Sequence, residues 1–156
     1  MDDIAFMREA IARAREGIRA GQTPFGAVVV RAGRVLVAAH NTVWRDTDPT
    51  AHAEVGALRQ AALLLSRIDL GGCDLFTTCE PCPMCLAAIH WAKIDRVVFG
   101  AGIDDAAAAG FTELLLPARE MVEKGGSRLR VESGVCQQEC RELFQLWKEM
   151  GLSAPY

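Results

Sequence analysis

Residues 74–99, DLFTTCEPCPMCLAAIHWAKIDRVVF, decide the fold. Asp74 to Thr78 reads as a short strand of aromatic and β-branched residues. Pro83 stands where a first helical residue belongs, because the N–H that proline lacks has no partner there. Leu86, Ile89 and His90 continue the helix to near Lys93, and Arg96 to Phe99 is the next strand. Strand, helix and strand in so short a stretch place a sheet beneath packed helices.

Working outward, Ile4, Met7, Ile11, Ala14 and Ile18 recur at spacings of three and four, the stripe of an amphipathic helix over residues 4–20 that Gly21 closes. Phe25 to Val30 and Arg34 to Ala39, separated by Ala32-Gly33, form an antiparallel hairpin. Asp46 to Pro49 breaks the pattern, and Asp48 or Thr50 caps a helix through His52, Val55, Leu58 and Leu64 that Gly71-Gly72 resets. Beyond residue 99, Ala106 to Ala109 is helical, Gly110 to Pro117 is a surface loop, Arg128 to Glu132 is a fifth strand and a last helix starts near Cys136. The order predicts an α/β domain: a three-layer α/β/α sandwich around a central five-stranded mixed sheet.

With 156 residues, 51% of them apolar and 24% charged, the chain suits one globular domain over residues 1–156. Residues 1–20 mix charges among apolar positions, unlike an export signal, and no run approaches the roughly 20 apolar residues of a membrane span. A cytoplasmic location is the expectation, with no membrane partner. There the six cysteines are reduced thiols or metal ligands in preference to disulfides. A net charge of −3 offers no general attraction to a phosphate backbone, and Glu9 and Glu16 interrupt the arginines of the first helix, so nucleic acid is the less favoured partner.

The chemistry concentrates in His52-Ala53-Glu54 and Pro81-Cys82-Pro83-Met84-Cys85. Both segments follow strand-like stretches and open helices, which puts them at strand carboxyl ends, where α/β sheets bind ligands. Free N–H groups and the positive dipole end of a helix favour thiolate at Cys82 and Cys85. His52, Cys82 and Cys85 thus offer Zn²⁺ three ligands whose charge balances the ion, with a fourth position left for water. Glu54, two residues from His52, does not share its face and stands beside the metal as a proton shuttle. The competing reading is a structural zinc in an interaction module, with Cys79 completing C-x-x-C-x-x-C. Against it, Cys79 falls at the strand end before Pro81, and a structural site gives Glu54 no purpose.

Together the two segments match the zinc-deaminase signature H-x-E…P-C-x-x-C. With Pro24-Phe25-Gly26-Ala27-Val28, Asn41 and Asp48-Pro49-Thr50-Ala51, they make the chain resemble, over nearly its whole length, the cytidine-deaminase-like superfamily in its branch of guanine, cytosine and transfer-RNA adenosine deaminases. Thr78-Cys79-Glu80-Pro81, Ile89-His90-Trp91-Ala92, Ala108-Ala109-Gly110-Phe111, Phe144-Gln145-Leu146-Trp147 and Tyr156 look most like the bacterial guanine deaminases. The resemblance implies hydrolysis of guanine to xanthine and ammonia, with transfer-RNA adenosine and then cytosine or another aminated heterocycle as alternative substrates. It further implies a homodimer, and a C-terminal segment of about residues 136–156 that closes the active site.

It also carries over a catalytic carboxylate at Glu113 and substrate contacts at Asn41, Ala53 and Tyr156. Where some guanine deaminases have two acidic residues after the phenylalanine, this chain has Thr112-Glu113 and keeps one. A carboxylate only accepts hydrogen bonds, which suits the N1–H and 2-amino donors of guanine and not N1 of adenine. Asn41 has the donor and acceptor to read a base, or is simply a turn residue. Phe25 and Trp91 sandwich a flat base or belong to the core.

Overall fold

Ala27 to Val30 is buried without alternation, because the strand that carries it is covered on both faces. The computed structural model describes residues 2–156, and in these the five expected strands form one sheet between two helical layers. The elements run α1 (Asp3–Arg19), β1 (Gly26–Arg31), β2 (Arg34–His40), α2 (Val43–Asp46), α3 (Ala53–Leu65), β3 (Cys73–Cys79), α4 (Pro83–Trp91), β4 (Arg96–Ala101), α5 (Ile103–Ala108), α6 (Ala118–Gly125), β5 (Arg130–Ser133) and α7 (Gln137–Met150). Among the described residues, no helix is long and apolar enough to cross a membrane.

Strand order is β2-β1-β3-β4-β5. β1 is antiparallel to both β2 and β3, whereas β3, β4 and β5 are mutually parallel. The start of β1 and the ends of β2, β3 and β4 therefore meet at one edge of the sheet, which is where the site forms. The hairpin turns on Ala32 and Gly33 at φ 49° and 72°, the left-handed pair of a tight two-residue loop.

Side-chain parity assigns each strand residue to one of two cores. Val28, Val30, Phe76 and Val98 face α1 and α7, meeting Phe6, Met7, Ile11, Leu143 and Trp147. Ala27, Val29, Leu75 and Val97 face the other way, onto Ala57, Leu58, Leu86, Ile89 and Ala118 of α3, α4 and α6. Burial of each large apolar side chain contributes about 1.5–3 kcal/mol, and the two cores hold the helix termini against the sheet edge.

Three boundaries differ from the sequence expectation. Asp48 does not cap the helix: its Oδ1 accepts the Thr50 N–H at 2.8 Å and hydroxyl at 2.7 Å, closing a turn, and α3 starts only at Ala53 with His52 as N-cap. α2 forms where a break alone is expected. α6 carries its own signal, since Ala118, Met121 and Val122 fall at helical spacing and pack against the second core.

Helix α1 crosses β1 so closely that a Cβ on Gly26 would collide with the backbone oxygen of Ala10 and lie 2.7 Å from the nitrogen of Ala14. A Cβ on Gly56, inside α3, would meet only the Ala39 methyl at 4.0 Å. Gly26→Ala should accordingly lose about 1–3 kcal/mol of stability in urea unfolding. Gly56→Ala should gain about 0.5–1 kcal/mol, because alanine loses less backbone entropy on entering a helix.

Candidate active site

Two helix starts bring the predicted ligands together. His52 is the N-cap of α3 and Cys82 the N-cap of α4, each with extended backbone and no side-chain capping bond, so both side chains are released toward the space between the helices. Cys82 stands one position before the helix, with Pro83 as the first helical residue, as expected, and Cys85 inside. His52 Nδ1 lies 3.6 Å from Cys82 Sγ and 3.5 Å from Cys85 Sγ.

These three ligand atoms all lie within 4.8 Å of one another, the one such group among the described residues that can hold a metal ion. The donor set fits zinc. Bond lengths of about 2.05 Å to nitrogen and 2.3 Å to sulfur, at tetrahedral angles, imply a nitrogen–sulfur edge of about 3.6 Å, the separation seen here. Cys85 donating to Cys82, against the effect of burial, pulls the Cys82 thiol down to about 4; Cys85 is pushed well up by the same bond and by its burial. Without a cation the pair keeps one proton, and a metal replaces it.

Cys79 does not join the group. Its thiol is directed to the Gly102 carbonyl at 3.5 Å, and burial holds it protonated. The fourth position is thus left without a cysteine, contrary to the structural-zinc alternative.

Glu54 is buried on the first turn of α3. Its Oε1 accepts the Thr77 hydroxyl at 3.0 Å and its Oε2 faces Cys85 Sγ at 3.5 Å; burial raises its pKa, with the Cys82 thiolate adding to the effect. The cavity it enters is lined by Phe25, Asn41, His52, Cys79, Glu80, Cys82, Glu113 and Tyr156 as well. Of the ten expected site residues, only Ala53, Cys85 and Trp91 are missing from this wall, Cys85 because it lies buried behind Cys82 and Glu54.

Glu113 arrives on the irregular connection 109–117 between α5 and α6. Burial first, and then the Cys82 thiolate, push its carboxyl up to about 7. Asn41 is fully buried; its Oδ1 accepts the Val43 N–H at 3.0 Å, which turns Nδ2 toward the cavity, so it offers the pocket a donor and not the donor–acceptor pair expected from sequence. One of the two N–H groups of Nδ2 donates to the Tyr156 hydroxyl at 2.6 Å. The Tyr156 ring rests against those of His52 and Phe111, with centroids 5.7 and 5.3 Å away. Its carbonyl accepts the Thr112 N–H at 2.9 Å, and Trp44 Nε1 holds the Ala154 carbonyl at 3.0 Å. With the C-terminus so placed, the inner cavity measures about 20 Å³, room for one water. A second cavity of about 210 Å³ lies outside it, sharing His52, Cys82, Glu113 and Tyr156 as walls.

Two expected contacts are corrected. Trp91 ends α4, nine residues beyond Cys82 and roughly 13 Å along the helix axis from it, and its ring is 75% exposed. It cannot sandwich a base with Phe25, whose own ring packs edge-on against Phe111 and Phe144 at 5.0 and 5.8 Å. The Ala53 methyl is wholly buried in the core against the sheet and adds no side-chain surface to the cavity. Glu80 and Thr77, by contrast, were given no part at the site from sequence, and Cys79 only that of a fourth ligand in the competing structural-zinc reading; lying at the end of β3 beside Cys82 was the available signal.

The profile described as the cytidine and deoxycytidylate deaminase zinc-binding region matches residues 1–101. The chain is 39% identical, over 100% of both lengths, to the guanine deaminase of Bacillus subtilis, and 35% identical to the tRNA-specific adenosine deaminase of the same organism over 88% of this chain and 83% of that one. A solved structure of guanine deaminase from Nitrosomonas europaea superposes with a TM-score of 0.88 at 29% identity, covering 95% of this chain and 85% of that chain. The zinc-type ligand triad at paired helix starts, the five-stranded sheet and the full-length match agree: the chain belongs to the cytidine and deoxycytidylate deaminase family, in company with the guanine deaminases.

Proposed function

We propose that the protein hydrolyses guanine to xanthine and ammonia. The observation that carries the reading is Glu113, a carboxylate on the same cavity wall as Glu54, His52 and Cys82, whose ionised form suits the N1–H or 2-amino hydrogen bonds that guanine offers and adenine lacks. The full-length likeness to guanine deaminase supports it.

A zinc ion held by His52, Cys82 and Cys85 supplies Lewis-acid activation of water at neutral pH. The chain's own groups do the rest. With Cys85 as a thiolate ligand, Glu54 Oε2 no longer receives its S–H, while Thr77 still fixes Oε1. Oε2 is then free to take a proton from the attacking water and return it to the purine ring nitrogen. As the bond from C2 to the amino nitrogen breaks, the hydroxyl added at C2 gives up its proton to become the carbonyl, and Glu113 takes that proton and passes it to the departing ammonia; a carboxyl poised near neutrality suits both holding and moving it. Asn41 Nδ2 donates to an acceptor on the base, and Phe25 presents an apolar wall. The C-terminal segment, about residues 136–156, closes the site through Tyr156. Homodimerisation belongs to the same reading, since Met84 and Trp91 leave apolar surface of α4 exposed.

Ammonia release from guanine by the zinc-loaded protein tests the reaction, with adenine, cytosine, guanosine and an anticodon stem-loop RNA in parallel. Guanine alone should turn over. Glu54→Gln should lower kcat by about 100- to 10,000-fold and Glu113→Gln by about 100-fold, each with stoichiometric zinc. Turnover of the RNA alone, steeply dependent on salt, would replace guanine with a transfer-RNA adenosine as substrate. Cys79→Ser should retain zinc in dialysis against a chelator; its loss would return Cys79 to the ligand set.

A further inference from the structure

Glu80 lies between the last residue of β3 and the ligand Cys82, and no step above uses it. Its backbone N–H donates to the Ala101 carbonyl at 2.7 Å, continuing the pairing of β3 with β4. Its side chain reaches two further elements. Oε2 accepts the N–H of Ile103 at 3.1 Å and Oε1 accepts the N–H of Ala118 at 2.8 Å. Ile103 and Ala118 are the first residues of α5 and α6, whose free N–H groups and dipoles favour a carboxylate.

Neither helix caps itself in full. Gly102, the N-cap of α5, has no side chain, and Pro117, the N-cap of α6, makes no side-chain capping bond. One carboxylate, 23 residues from one helix start and 38 from the other, serves both. Between α5 and α6 runs the connection 109–117 that carries Glu113. Its N-terminal half is anchored by buried Phe111 and by Thr112 bonded to the Tyr156 carbonyl. After Glu113 it has little of its own to hold it, since Leu114 and Leu115 are 69% and 70% exposed.

We propose that Glu80 is a positioning residue: its carboxylate ties the starts of α5 and α6 to the strand end that leads into Cys82, and so fixes where Glu113 stands relative to the metal ligands. The inference rests on the reading of Glu113 as the group that orients guanine. A displacement of about 1 Å in such a group costs on the order of 100-fold in rate, so a residue acting only through Glu113 has a measurable effect.

Glu80→Gln keeps the shape of the side chain but offers one acceptor where two are needed, setting an amide N–H₂ against a backbone donor. The test measures kcat and KM for guanine in the zinc-loaded wild type, Glu80→Gln, Glu113→Gln and the double variant, with zinc content, and amide deuterium exchange of the first three. The expected result is a kcat lowered about 10- to 100-fold in Glu80→Gln with stoichiometric zinc. The same substitution should cost less than about twofold in the Glu113→Gln background, because two residues acting as one unit are not additive. Exchange should quicken at Ile103, Ala118 and residues 112–116, with α3 and β3 unchanged. A full repeat of the loss in the Glu113→Gln background would overturn the proposal, as would wild-type kcat or unchanged exchange in Glu80→Gln. Wild-type turnover by Glu113→Gln would instead overturn the role given to Glu113, and the exchange measurement would still decide whether Glu80 holds the connection.

Discussion

The site crowds acidic groups into a small space. Glu54, Glu80, Glu113, Cys82 and Cys79 line one inner cavity, Cys85 lies just behind it, and no lysine or arginine is among the lining residues. The cost is visible in the directions of titration: burial and the Cys82 thiolate raise both Glu54 and Glu113, and Cys85 is driven to its neutral form. A divalent cation at His52, Cys82 and Cys85 relieves several of these repulsions at once. Metal binding is thereby coupled to the stability of this end of the sheet and to the protonation of Glu54 and Glu113 on the cavity wall.

The sheet topology is what lets so many groups converge. Had β1 run parallel to β3, Phe25 would lie at the far edge from Cys79 and Glu80; the antiparallel pairing brings the start of β1 and the end of β2 to the carboxyl ends of the parallel strands. Helices α3 and α4 then start from that edge on one face, which sets two N-caps side by side. An N-cap side chain leaves the helix axis before the first turn, and that is how His52 and Cys82 meet while Glu54 and Cys85, a few residues on, sit deeper. Gly26 belongs to the same arrangement, because the close crossing of α1 leaves β1 free of side-chain bulk just inside Phe25.

The ligand triad and Glu54 were legible because each lies within a short motif whose spacing is set by one helix start. The five strands were legible for a similar reason, since their apolar content survives burial on both faces. What sequence left out is non-local. Glu80 looks like a residue preceding a proline, and only the fold brings the N–H groups of Ile103 and Ala118 to it. Asn41 was placed at the site, but its reduction to a donor group alone depends on the Val43 N–H, supplied by the short helix α2 that the sequence reading missed. Trp91 was a candidate because an aromatic face suits a flat base, but a helix of this length carries its last residue out of the site.

Asn41 Nδ2 and the inner cavity place one further demand on the guanine reading. One of the two N–H groups of Nδ2 is already given to the Tyr156 hydroxyl, and a cavity of about 20 Å³ does not admit a purine. Binding on that reading therefore moves the Tyr156 ring aside, while the second N–H of Asn41 serves the base. The contacts that would yield, from Thr112 to Tyr156 and from Trp44 to Ala154, belong to residues 154–156. The Trp147 indole bonded to Ser153 at 2.9 Å lies just before them and can stay. On the guanine reading, a tail hinged at Ser153 would open the site without disturbing α7 or the core beneath it. On this reading its return behind the substrate restores the Phe111 and Thr112 contacts that steady the connection carrying Glu113.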